Sequence, residues 1–96
     1  MRSAMSIQVL PLSGAAKEEV YALVDKAIRI IQESGLPYVV NPFDTTVEGE
    51  FQDLLQLAGK AHEAVLAAGC NRVFTVIKLA SAPDLGTSAE KVAKYR

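Results

Sequence analysis

The chain is poor in the residues that build metal centres and nucleophile sites. Its 96 residues include one cysteine and one histidine. Cys70, alone, can form neither an intramolecular disulfide nor a cysteine metal cluster. It reads as a small buried hydrophobe. His62 has no second imidazole to join it, so a metal role lacks ligands, and a hydrogen-bonded histidine at the core edge is the plainer reading. An excess of charge is missing too. Ten Lys and Arg against eleven Asp and Glu leave a formal charge of −1. The basic residues are scattered, whereas a nucleic-acid surface needs them in a stripe. No apolar run approaches the roughly 20 residues that span a membrane. The opening "MRSAMSIQVLPL" lacks the apolar centre of a signal peptide, so the expectation is a soluble cytoplasmic protein. Glycine-rich phosphate cradles are also absent. "LSGAA" (12–16) has one glycine and reads first as an ordinary loop, with a weak anion site at the helix start as the sharper alternative.

What the chain does have is apolar surface. Half its residues are hydrophobic, and the mean hydropathy is +0.19. The length sets a single domain over 1–96. A domain of this size buries only about 60–65% of its unfolded surface. The surplus apolar area therefore predicts self-association.

The periodicity alternates between two and 3.6. "MSIQVLPL" (5–12) reads as a first strand closing on Pro11. From Ala15 to about Ser34 the spacing of Val20, Leu23, Val24, Ala27 and Ile31 predicts a helix, stopped by Gly35 and Pro37. "PYVVNP" (37–42) and "TTVEG" (45–49) predict two short strands joined by a Phe43-Asp44 turn. A second helix spans about 50–68, with Phe51, Leu54, Leu55, Ala58, Ala61 and Val65 on its apolar stripe, and Gly69 ends it. "NRVFTVIKLA" (71–80) is the longest strand. Thr87 and Glu90 then stand as a capping box before a short terminal helix carrying Val92 and Tyr95.

The order β-α-β-β-α-β is the ferredoxin-like plan, an α+β sandwich of a four-stranded antiparallel sheet and two helices. The fourth strand is apolar on both sides: Val73, Thr75, Ile77 and Leu79 on one, Phe74, Val76 and Ala80 on the other. A sheet with one wet face alternates more cleanly. The face without helices is therefore expected to meet another copy of the chain.

In that frame the motifs fall into a known order. "QVLPL" (8–12), "ESGLPYVVNPF" (33–43), "TTVEGE" (45–50), "KAHEAVLAAG" (60–69) and "RVFTVIKL" (72–79) together resemble the family of small thiamine-binding proteins, from Ser6 to Tyr95. The family pattern at the joint is matched by Pro42, Phe43, Asp44, Thr45, Glu48 and Gly49. Pro11-Leu12 matches the strand-one pair, and Ser13-Gly14 replaces the glycine that usually follows it. The resemblance implies a ferredoxin-like fold and a homotetramer of two dimers. It further implies binding of thiamine or its hydroxymethylpyrimidine part, without established catalysis and without a cofactor.

Five residues are the candidates for ligand contact: Gln8, Phe43, Thr45, Glu48 and Lys78. A carboxylate at Glu48 can accept from an aminopyrimidine and pair with its protonated ring, a charge-assisted contact. Its alternative is an acid favoured at a helix N-terminus. Thr45 offers a hydroxyl; its alternative is simple strand preference. Phe43 can stack on a planar ring or belong to a core or interface. Gln8, polar in an apolar central strand, needs a partner, either ligand or neighbour. Lys78 either reaches a ligand or forms an ion pair with an acid such as Glu48. Asn41, beside Pro42, is assigned to turn chemistry.

Two other classes remain open on the same fold. One is a regulatory protein-interaction module working through the sheet face. The other is a ferredoxin-like acyl-phosphate hydrolase, which needs an arginine in the first loop. "PLSGAA" contains none.

Overall fold

The structure, a computed structural model, describes residues 1–12 and 16–96. The elements are β1 (Arg2–Pro11), α1 (Lys17–Glu33), β2 (Tyr38–Val40), β3 (Thr45–Glu50), α2 (Phe51–Ala67), β4 (Val73–Ser81) and α3 (Ser88–Val92), followed by a single 3₁₀ turn at Ala93–Tyr95. The sheet order is β2-β3-β1-β4, antiparallel throughout. This is the ferredoxin-like α+β sandwich.

Register follows the apolar alternation. Met5 faces Val47 on one side and Leu79 on the other; Ile7 faces Thr45 and Ile77. Met5, Ile7 and Val47 point to the helices, where Ala27 and Ile31 of α1 meet Leu54, Leu57, Ala61 and Val65 of α2. Cys70 joins this core, and its thiol donates to the Arg72 carbonyl at 3.2 Å. His62 lies at the core edge, its Nδ1 2.6 Å from the Thr75 hydroxyl. Both readings of these two residues hold.

Helix ends follow the glycines. Gly35 and Gly69 have φ of +77° and +103°, the left-handed geometry that glycine adopts without a Cβ penalty. Gly49 is glycine for a different reason. A Cβ there would press on the Leu36 side chain at 3.3 Å.

Some boundaries differ from the sequence expectation. β1 begins at Arg2 rather than Met5, because Ser3 pairs with Gly49 and with Ser81. The hydroxyls of Ser3 and Ser81 share a 2.5 Å hydrogen bond. On α2, Phe51 and Leu55 sit at the stripe's margin, partly in solvent, and Leu57 is buried in their place. The terminal helix is capped as expected, with the Thr87 hydroxyl accepting from the Glu90 N–H at 3.0 Å. It buries none of its residues, and Tyr95 is exposed.

Phe74 and Val76, 58% and 49% exposed, stand on the sheet face opposite α1 and α2. Among the described residues, no helix is long and apolar enough to cross a membrane.

Candidate ligand-binding site

The polar joint between β2 and β3 is first of all self-satisfying. The Asn41 N–H donates to the Asp44 carbonyl at 2.8 Å and closes the hairpin. The Asn41 side-chain amide donates to Asp44 Oδ1 at 3.1 Å and to Thr46 Oγ1 at 3.2 Å. Ser6 in β1 donates to Asp44 Oδ2 at 2.6 Å. Asn41 is thus the turn residue its position suggested, and Asp44 is pinned from β1 and from within its own loop.

A cleft opens beside this joint. β3 stops pairing with β1 at Ile7 and Thr45, while β1 runs on to Pro11. Loop 41–44 turns away there, and α1 passes over the gap. The result is a cavity of about 240 Å³, sized for a small heterocycle rather than the roughly 300–1,000 Å³ of a drug-sized pocket. Val20, Val24 and Ile28 of α1 line it from above; Val9, Pro42 and Phe43 line it from the sheet and loop. Asp44 is the single charged group among its described lining residues.

Phe43 and Thr45 of the five candidate residues meet here; Gln8 borders the cleft along β1, but its side chain, in register with Val76, belongs to the opposite sheet face. Thr45 is buried, whereas Phe43 stands 83% exposed at the mouth, with Tyr21 of α1, 61% exposed, on the same rim. Sequence reasoning missed Tyr21, Val9 and the charge of Asp44 as parts of a site. Tyr21 falls outside the apolar stripe of α1, and that mismatch is the one signal that could have marked it.

Glu48 and Lys78 lie elsewhere, on the sheet face opposite α1 and α2. Glu48 accepts a hydrogen bond from the Ser88 main-chain N–H at the start of α3. Its other carboxylate oxygen is 3.7 Å from the Arg2 guanidinium. The Ser88 bond holds the Glu48 carboxyl below its ordinary value, outweighing the opposing effect of burial; Arg2 and Lys91 add smaller pulls in the same direction. Glu48 therefore does serve a helix start, but that of α3 rather than α2, which is capped at Glu50 without a side-chain bond. Lys78 lines a second cavity of about 330 Å³ under α3, with Ser6, Thr46, Ser88 and Lys91. Among the described residues it has no acid within ion-pair distance, so the Lys78–Glu48 pair is not formed.

The possible anion loop at 12–16 has Ser13, Gly14 and Ala15 outside the described residues. Among those described, no three His, Cys, Asp or Glu side chains converge as metal ligands would.

The fold and the cleft are those of a small ferredoxin-like domain with room for one compact ligand. The chain belongs to the thiamine-binding protein family, which matches residues 5–96. A UPF0045 protein of Clostridium perfringens is 36% identical over 92 residues, covering 96% of this chain and 95% of its own. A solved Bacillus cereus domain of unknown function is 41% identical with a TM-score of 0.88, covering 100% of this chain and 91% of its own. A Thermotoga maritima structure, described as a candidate thiamine biosynthesis/salvage protein, is 28% identical with a TM-score of 0.87 and covers 100% of both chains.

Proposed function

We propose that this protein binds thiamine or its hydroxymethylpyrimidine part in the α1 cleft, as a non-catalytic cytoplasmic homotetramer. One observation carries the reading: the cleft is aliphatic on its α1 side, rimmed by aromatics, and charged only by Asp44 among its described lining residues. Thiamine is a flat aminopyrimidine joined to a thiazolium cation. An aliphatic slot suits the ring, Phe43 and Tyr21 suit its faces, and Asp44 suits the positive charge. Thr45 offers a hydroxyl on the sheet side. Membership in a family named for thiamine binding supports the same ligand. The role that fits is salvage or sensing of the vitamin.

Glu48 and Lys78 act from the other sheet face in this reading. Glu48 holds α3, and Lys78 faces the neighbouring subunit beside Phe74 and Val76. The apolar exposure of that face supports assembly through it.

Calorimetric titration with thiamine and with hydroxymethylpyrimidine is the test, with Phe43→Ala and Glu48→Ala alongside. Saturable heat that weakens in Phe43→Ala is the expected result. Absence of heat from both compounds, with an intact oligomer, would overturn the reading.

A further inference from the structure

The main chain of β1 contributes a feature to the cleft that no side chain reveals. In an antiparallel sheet, alternate residues of a central strand send both their N–H and C=O to opposite neighbours. The Leu12 N–H bonds the Arg72 carbonyl at 2.8 Å, and the β1–β4 register continues through Leu10 with Phe74 and Gln8 with Val76. The even-numbered residues of β1 therefore point their main-chain groups at β4. The odd-numbered ones point at β3.

Ile7 meets Thr45 on that side, and there the β1–β3 ladder ends. The next odd residue is Val9. Continued register would set it against Phe43, but Phe43 has already left with the turn and is 83% exposed. Among the described residues, nothing pairs with the Val9 N–H or C=O on this edge. The two groups open on the cleft, which Ile7, Gln8, Val9 and Leu10 line in succession, edge-on. Pro11 fits the same geometry. It lies on the unpaired side, where a missing N–H costs no ladder bond.

A donor and an acceptor side by side on a strand edge, under an aliphatic roof, suit one kind of partner. It is a flat heterocycle carrying an acceptor nitrogen next to an exocyclic amino donor. We infer that the Val9 main-chain edge is the specificity-determining element of the cleft, its N–H donating to the ring nitrogen and its C=O accepting from the amino group of an aminopyrimidine. This rests on the thiamine reading and names the atoms that carry it out. A docked peptide strand fits less well, because Val9 is the one residue of this edge, among those described, with both its N–H and C=O free. Unpaired main-chain groups in a partly buried slot are costly to leave unmet, so ligands that match both gain over those that match one.

The test is amide NMR of the full chain, titrated with thiamine, with hydroxymethylpyrimidine, with 4-aminopyrimidine and with the hydroxymethylpyrimidine analogue lacking the amino group, alongside calorimetry. The expected result is a downfield move and slowed hydrogen exchange of the Val9 amide with the amino compounds. Loss of the amino group should weaken binding roughly 3- to 10-fold, the worth of one hydrogen bond. Heat of binding with an unmoved Val9 amide would overturn the inference and leave the thiamine reading standing. A Val9 response to 4-aminopyrimidine but no binding of thiamine or hydroxymethylpyrimidine would do the reverse. Silence from every compound would sink both. Val9→Pro removes the free donor and breaks no ladder bond, while replacing a side chain that packs on the core. If that variant keeps its far-ultraviolet spectrum and still binds with unchanged affinity, the inference is again wrong.

Discussion

Phe43 separates stability from binding more cleanly than any other residue of the cleft. At 83% exposure it contributes little to the core. Phe43→Ala should therefore change the unfolding midpoint within the small range of surface substitutions, about ±0.5 kcal/mol. An aromatic contact is worth roughly 0.5–1.5 kcal/mol, so thiamine affinity should fall about 2- to 10-fold. Urea melts and calorimetry on one preparation check both halves. Leu54 is the opposite case. It is fully buried where α2 meets the sheet, and Leu54→Ala should cost about 2–5 kcal/mol in the same melt. At this scale the sequence was partly legible. Cys70, His62 and Asn41 fell where their chemistry placed them, because each answers to local surroundings. Glu48 did not, because its partner Ser88 is 40 residues away, and a capping box marks where a helix starts in the chain but not where it docks on the sheet.

α3 is a short outlying element, tied down at its N-terminal end. It buries no residue of its own, and its N-terminus is tied to the sheet by Glu48 and capped by Thr87. Thr87→Ala should loosen it by about 1 kcal/mol. Hydrogen exchange would read this as faster exchange over 88–95 with the core strands unchanged. The Glu48 anchor also has a pH signature. Its carboxyl is lowered in the folded state, so its contribution is in place above the unfolded glutamate value of about 4.3 and is lost as pH falls through the lower folded value. The Ser88 amide should exchange faster as the solution is acidified through that window, and Glu48→Gln should flatten the dependence. The remaining elements were readable because the apolar period switches sharply between two and 3.6 residues. The cleft was not. It exists because β3 falls short of the end of β1, and a gap between strands leaves no mark in either strand's own pattern.

On the scale of the whole molecule, the two faces of the sheet differ. One face carries α1, α2 and the cleft; the other presents Phe74, Val76 and Lys78. A fourth strand apolar on both sides is what raises the expectation of assembly through the second face. If the proposed tetramer forms through this face, Val76→Lys should shift it toward smaller species in light scattering while leaving the monomer's fold intact. A wild-type chain that stays monomeric at high concentration would remove the basis for assembly through this face.

Asp44 belongs to both faces. It lines the cleft, yet its carboxylate is gripped by Ser6 and Asn41, and Asn41 holds Thr46 beside the cavity under α3. If the proposed ligand draws on Asp44 from the cleft, it competes with that grip, and the effect would pass to the face through which assembly is proposed. Linkage then works in both directions: whatever factor a ligand applies to assembly, assembly applies to the ligand's affinity. Occupancy would then vary with protein concentration, and the chain could report how much of itself is present as well as how much vitamin.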